Sequence, residues 1–286
     1  MAAWMETVRS VVSPWECDVT EHFTIAYYFD RLAGAASTMA ENIGLRDNAG
    51  SALRRFHVRF ARELRAGASF HILSAPIALD ENSVRLGHQI VDSADGEVTA
   101  WAEETLDHAA APLSRDLSDE IGRRLSHWPG PAVEQRPEPV TTDGFVATAR
   151  DRIKPMELDA GGKLTLAAFV HRFTAGSIQG LAAIGATSSY MQAERRGYST
   201  FELALLITGS PQSAAPVLVE TGIAHLGNSS IRFVHRMSDP VSGTEYARLS
   251  QFEVQLDLDT RRPAALPERL RAAAARLRVP VAPQGN

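Results

Sequence analysis

The chain has 286 residues, 44% of them hydrophobic, a formal net charge of −5 and one cysteine. At roughly 150 residues per domain this is about two domains or one large one, with enough apolar content for a core that needs no staples. The lone cysteine excludes an intramolecular disulfide and an all-cysteine metal site, the mild acidity argues against a nucleic-acid binder, and no apolar run reaches the ~18–20 residues that span a bilayer.

The start, Met1 to Ser10, carries charged residues and no apolar h-region, so a cytoplasmic protein is expected. Tyr28, Leu32, Ala35, Met39 and Ile43 recur at steps of three and four and predict a helix with one apolar stripe. Thr24 precedes it as a favoured N-cap and Gly44 ends it. Phe56, Val58 and Phe60 alternate with His57 and Arg59, as in a strand. Strands follow at Ile72–Leu79, Val84–Val91 and Val98–Leu106, separated by turn signals such as Asp80-Glu81-Asn82 and Asp95-Gly96. Asp116–Ser126 predicts a short helix, and the proline- and glycine-rich stretch that runs on to Gly144 an extended connection. Phe169, Phe173, Gly176, Gly180 and Ile184 then repeat the helical spacing between Thr165 and Gly185. Strands are expected at Phe201–Ile207, Val217–Leu226, Ser230–Met237 and Glu245–Leu258, and a helix in the alanine- and arginine-rich tail Glu268–Arg278.

These elements repeat. The segments from Val12 and Ile153 align without a gap at the offset of 141 that separates Asp18 from Asp159. Identical pairs include Pro14/Pro155, Glu16/Glu157, Thr24/Thr165, Arg31/Arg172 and Gly44/Gly185. A second block, Val84–His88 against Ile231–His235, aligns at the offset of 147 between His88 and His235, which places a six-residue insertion in a loop between the blocks. The chain reads as two copies of one domain: a first domain over residues 1–112, a linker with a short helix over 113–144, and a second domain with a C-terminal helix over 145–286. The expected class is α+β, each copy an antiparallel sheet wrapped around one long helix.

Pro14, Asp18, His22 and Tyr28 stand at the spacings of Pro-x-x-x-Asp-x-x-Gly-His-x-Asn-x-x-x-Tyr, with Glu21 in place of the glycine and Thr24 in place of the asparagine. The second copy supplies Pro155, Asp159, Gly162 and Phe169, with Lys163 for the histidine and Thr165 for the asparagine. On these residues the chain resembles the hotdog-fold thioesterase superfamily, in particular the 4-hydroxybenzoyl-CoA thioesterase-like acyl-CoA thioesterases. The resemblance implies two tandem hotdog domains in a double-hotdog arrangement, with a site shared between them. It also implies an acyl-CoA or acyl-carrier-protein thioester as substrate, with neither nucleic acid nor membrane as partner. A homo-oligomer of double-hotdog chains is compatible with it.

A thioester hydrolase needs a group that activates water or attacks the carbonyl, and donors for the oxyanion. Asp18 and Asp159, six residues before the threonines, are the catalytic candidates with His22, and the N–H groups of a helix N-terminus could serve the oxyanion. Equally, the aspartates could order their turns by bonding local amides. Thr24, Gly162, Thr165 and Gly176 are the candidate substrate contacts. Gly176 and Gly180 each cost up to ~1 kcal/mol in helix propensity. Either an acyl groove or close packing against the other copy's helix would offset that. His88 and His235, each within Arg-x-x-His, face away from their arginines and are expected to be structural. Cys17 is expected to be a small buried residue, and Arg55 and Arg59 a solvated face or phosphate ligands of a CoA carrier. No Gly-rich phosphate loop, CxxC pair or HExxH motif is present, so no metal or cofactor is implied. Two other functions fit the pattern less well: a hotdog hydratase or dehydratase, for which Asp18 and His22 are one residue too close, and a non-catalytic thioester-binding module.

Overall fold

The computed structural model describes residues 4–18, 21–45, 54–108 and 112–282. Val19 and Thr20 in the first candidate turn, and Ala109–Ala111 where the linker was expected to begin, lie outside these residues. Two compact units form, one of Met1–Ala132 with Thr165–Val170 and Leu206–Gly209, the other of Val133–Leu164, His171–Leu205 and Ser210–Asn286.

The first unit runs β1 (Met5–Val11), α1 (Ile25–Asn42), β2 (Arg54–Phe60), β3 (Ser69–Leu79), β4 (Ser83–Asp92), β5 (Val98–Asp107) and α2 (Arg115–Arg123). Its strand order is β1-β3-β4-β5-β2, with antiparallel pairing throughout. All five stripe residues of α1 are buried, from Tyr28 to Ile43. Met39 and Ile43 pack with Val84, Leu86 and Leu106 of the sheet, and Ile121 of α2 closes the same cluster. At ~1.5–3 kcal/mol per large apolar side chain, this face outweighs anything helix propensity contributes.

The second unit runs β6 (Val146–Arg152), α3 (Leu166–Ala183), α4 (Ser188–Ala193), β7 (Arg196–Ile207), β8 (Pro216–Leu226), β9 (Ser230–Ser238), β10 (Glu245–Asp257) and α5 (Glu268–Ala274), except that the first turn of α3, to Val170, and the end of β7, from Leu206, group with the first unit. Its strand order is β7-β10-β9-β8-β6. Apart from α4, the same order of elements occurs in each unit. Leu181 and Ile184 pack with Ile223, Ile231 and Phe233, and Leu270 of α5 closes that cluster as Ile121 closes the first. The six extra residues fall between α3 and the end of β7, a stretch that holds α4 and part of a strand as well as loop.

Several identical pairs now have a physical role. Pro14 and Pro155 each open a single 3-10 turn. Glu16 accepts the Ser13 amide and pairs with Arg31 of α1; Glu157 accepts the Lys154 amide and meets Arg172 of α3 at 2.7 Å. Each Glu–Arg pair ties the turn to its helix. Gly44 and Gly185 end the helices at φ 76 and 92, a left-handed conformation that glycine adopts without steric cost.

Gly176 and Gly180 face their own sheet. A Cβ on Gly176 would lie 3.0 Å from Val219 and within 3.3 Å of the Thr148 and Thr221 hydroxyls; one on Gly180 would lie 3.2 Å from Phe233. Close approach of helix to strand therefore accounts for the two glycines. Val219 and the threonines stand where a groove at Gly176 would need space, and the packing partner is the sheet, not another helix. Gly180→Leu is expected to lower stability by roughly 1–3 kcal/mol through overpacking, despite its better helix propensity. Urea denaturation measures this, and an unchanged midpoint would contradict the close packing.

Candidate functional site

The candidate turn of the first unit closes on itself. Asp18 N–H donates to the His22 carbonyl at 2.9 Å, and His22 N–H donates to Asp18 Oδ1 at 3.1 Å. Glu21 sits between them at φ 63, which explains the glycine preferred there: a left-handed residue is needed, and a side chain costs about 1–2 kcal/mol in that conformation. Phe23 N–H donates to the Leu64 carbonyl at 2.9 Å, and Leu64 N–H donates to the Tyr28 hydroxyl at 3.3 Å. Leu64 is buried, so this clamp pins the segment after β2 against the turn.

Glu63 and Arg65 flank Leu64, and both reach His22. The imidazole Nε2 lies 3.1 Å from Glu63 Oε2 and 3.0 Å from Arg65 Nη2. A carboxylate and a guanidinium bracket one nitrogen: Nε2 donates to Glu63 in one tautomer and accepts from Arg65 in the other. Glu63 was not singled out in the sequence. The only signal for it is that it and Arg65 are two apart, on either side of an apolar residue that follows a strand.

Thr24 stands at the N-cap position of α1, but its hydroxyl donates to the Glu16 carbonyl at 3.1 Å and caps nothing. The start of α1 therefore lacks the side-chain acceptor that a threonine there was expected to provide. Beside it, Cys17 is half-buried and its thiol donates to the Ser13 carbonyl at 3.6 Å. Burial, with the carboxylates of Asp18, Glu16 and Glu21, pushes that thiol up, so it is not a ready thiolate nucleophile.

Residues 12–119 match the sequence profile of the Thioesterase-like superfamily. Most of the chain shares the hotdog fold of solved thioesterases. An acyl-ACP thioesterase from Bacteroides thetaiotaomicron superposes with a TM-score of 0.66 at 12% identity, over 86% of this chain and 96% of that one. The 12:0-ACP thioesterase from Umbellularia californica does so with a TM-score of 0.62 at 13% identity, over 90% and 93%. No curated protein matches the chain.

Unlike the thioesterase-like segment, the second unit shows no acid–base pair at its turn among the described residues. Asp159 Oδ1 accepts the amides of Gly161 and Lys163, both at 2.9 Å, with Gly162 left-handed at φ 75. Lys163 is exposed, and the Leu164 amide donates to Ser210 Oγ at 2.7 Å. Thr165 accepts the Ala168 amide at 3.3 Å and so caps its helix. The histidine, the carboxylate and the uncapped helix of the first turn are all missing here.

His88 and His235 are structural. His88 Nδ1 is 2.7 Å from the Ser74 hydroxyl, itself 2.7 Å from that of Thr7; His235 Nδ1 is 2.8 Å from the Thr221 hydroxyl, itself 2.7 Å from that of Thr148. Burial depresses both imidazoles to about 3, with Arg54 adding to the effect on His88. Both are neutral in the folded protein and titrate near 6.5 once unfolded. Their contribution is complete above about pH 6.5 and is lost as the pH falls towards 3. Buried Glu253, raised to about 7, acts in the opposite direction between 4.5 and 7, so a difference measurement is needed. The stability advantage of wild type over His235→Asn should shrink by roughly 1.4 kcal/mol per pH unit below 6.5. Denaturation curves from pH 7 to 4 test this, and a pH-independent difference would refute it.

Proposed function

We propose that the chain hydrolyses the thioester of an acyl group carried on coenzyme A or acyl-carrier protein, and that its two units are copies of one hotdog domain in a double-hotdog arrangement. The matching order of elements, the paired Glu–Arg ties and the paired Ser/Thr–His chains support the duplication. The superfamily match and the fold of the solved thioesterases support the reaction.

The observation that carries the chemistry is the contact of His22 with Glu63 beside the uncapped start of α1. With Nε2–H held by Glu63, Nδ1 is the basic nitrogen and can take a proton from water as it attacks the thioester carbonyl. Glu63 stabilises the imidazolium that results. Amides at the start of α1 face developing negative charge, which the helix dipole favours. Proton transfer to the departing sulfur releases the thiol and leaves the carboxylic acid. Asp18 holds the turn that aims His22; this gives it a positioning role in place of the base or nucleophile read from its spacing. The second turn, with Asp159 bonded to its own amides, serves binding or structure, so each chain carries one catalytic turn.

Thiol release from a panel of acyl-CoA and acyl-carrier-protein thioesters tests the reaction. His22→Gln and Glu63→Gln should each lower kcat by roughly 10²–10⁴ with little change in KM. Asp18→Asn, which keeps the Oδ1 acceptor, should remain within about tenfold of wild type. Full activity of Glu63→Gln, or loss of activity in Asp18→Asn as great as in His22→Gln, would overturn these roles.

A further inference from the structure

The two cores differ at several positions, one of them a facing pair on helix and sheet where the polarity changes. In the first unit, Ala36 of α1 and Leu106 of β5 belong to the same apolar cluster. The corresponding positions of the second unit, in helices that span Ile25–Asn42 and Leu166–Ala183 and strands that begin at Val98 and Glu245, hold Ser177 and Glu253. The fold therefore accepts an apolar pair here, and the second unit has replaced it with a hydroxyl and a carboxyl.

The replacement extends into a chain of polar side chains beneath α3. Glu253 Oε1 accepts from Ser177 at 3.1 Å, from Thr200 at 3.5 Å and from the Gln251 amide, which also donates to Thr200 at 2.9 Å. Gln255 Oε1 accepts from Tyr190 and Tyr198, both at 3.0 Å. Glu253 is almost wholly buried, yet its Oε2 has no partner among the described residues. A buried polar atom left unpaired costs about 1–3 kcal/mol, and exchanging such a pair for apolar residues is often neutral or stabilising. Stability alone gives no reason to keep this group.

We propose that Glu253, with Ser177 and Thr200, recognises an uncharged hydroxyl on a ligand's acyl chain beneath α3, the hydroxyl bonding to Glu253 Oε2. The groups around the carboxyl are neutral donors, which suits a neutral partner over a cation. Tyr198 and Thr200 are only half-buried, so the polar chain leads from the interior towards solvent. A carboxyl raised to about 7 is present in both protonation states at neutral pH and can accept from or donate to a hydroxyl. The choice of an acyl chain rests on the thioester reading above; the hydrogen-bond chemistry does not.

The test compares calorimetric binding of dodecanoate with that of hydroxydodecanoates carrying the hydroxyl at successive carbons. Wild type should bind at least one hydroxylated chain roughly 10–100-fold more tightly than the plain chain. The double variant Ser177→Ala/Glu253→Leu, which recreates the pair of the first unit, should fold, bind the plain chain, and lose that preference. Ser177→Ala/Glu253→Gln, which keeps a polar group, should retain part of it. No preference in wild type, or an undiminished preference in the folded Ala/Leu variant, would overturn the proposal. A hydroxyl preference in a protein that hydrolyses no thioester would instead refute the hydrolase reading and leave this one standing.

Discussion

Burial of one face of an 18-residue helix against a layer of antiparallel strands is the constraint on which each unit depends. A helix this long gains little from propensity alone, and the sheet must cover its own apolar side. In the first unit the meeting is made by bulky residues, with Leu32, Met39 and Ile43 all buried. In the second, glycines stand at 176 and 180, and Val219, Thr221 and Phe233 occupy the space that side chains there would take. Most polar groups at the interface sit in bonded chains, the Ser/Thr–His pairs among them, because a buried donor or acceptor without a partner is costly.

The placement of the helix then dictates the site. A proline-started turn precedes each helix, and a glutamate in that turn grips an arginine two turns along it. With the turn held, Asp18 and Asp159 each donate to the carbonyl four residues on, and the residue before that carbonyl, Glu21 or Gly162, is left-handed. In the first unit the loop presents His22 towards the segment clamped by Leu64, and that clamp brings Glu63 within reach. In the second unit the same loop presents an exposed lysine. The scaffold is held in common, and the chemistry depends on which side chains stand at two positions.

Much of this was legible in the residues. Helical stripes, strand alternation, terminal glycines and the repeated Asp turns are local signals, set by spacings of two to four residues. Where a strand was expected by residue, the observed one agrees to within a few residues apart from a longer β7; β1 and β6, which open the two units, had no expected range. The role of Glu63 was not legible, because its meaning comes from His22, 41 positions earlier, and from the backbone bonds of Leu64 between them. Thr24 and Thr165 read alike in sequence, yet one hydroxyl turns to a carbonyl and the other to a helix amide. Gly176 was open to two readings because helix spacing says that a small residue is wanted, not what lies opposite it.

The sequence by itself determined most of the elements, their order and the left-handed glycines that end the two long helices, since these follow from periodicity and backbone sterics within a few residues. Only the tertiary structure decided which side chains meet: Glu63 with His22, Ser177 with Glu253, Gly176 with Val219. Such contacts depend on strand order and register, which sum many weak long-range packing terms, and no short window of sequence carries that sum.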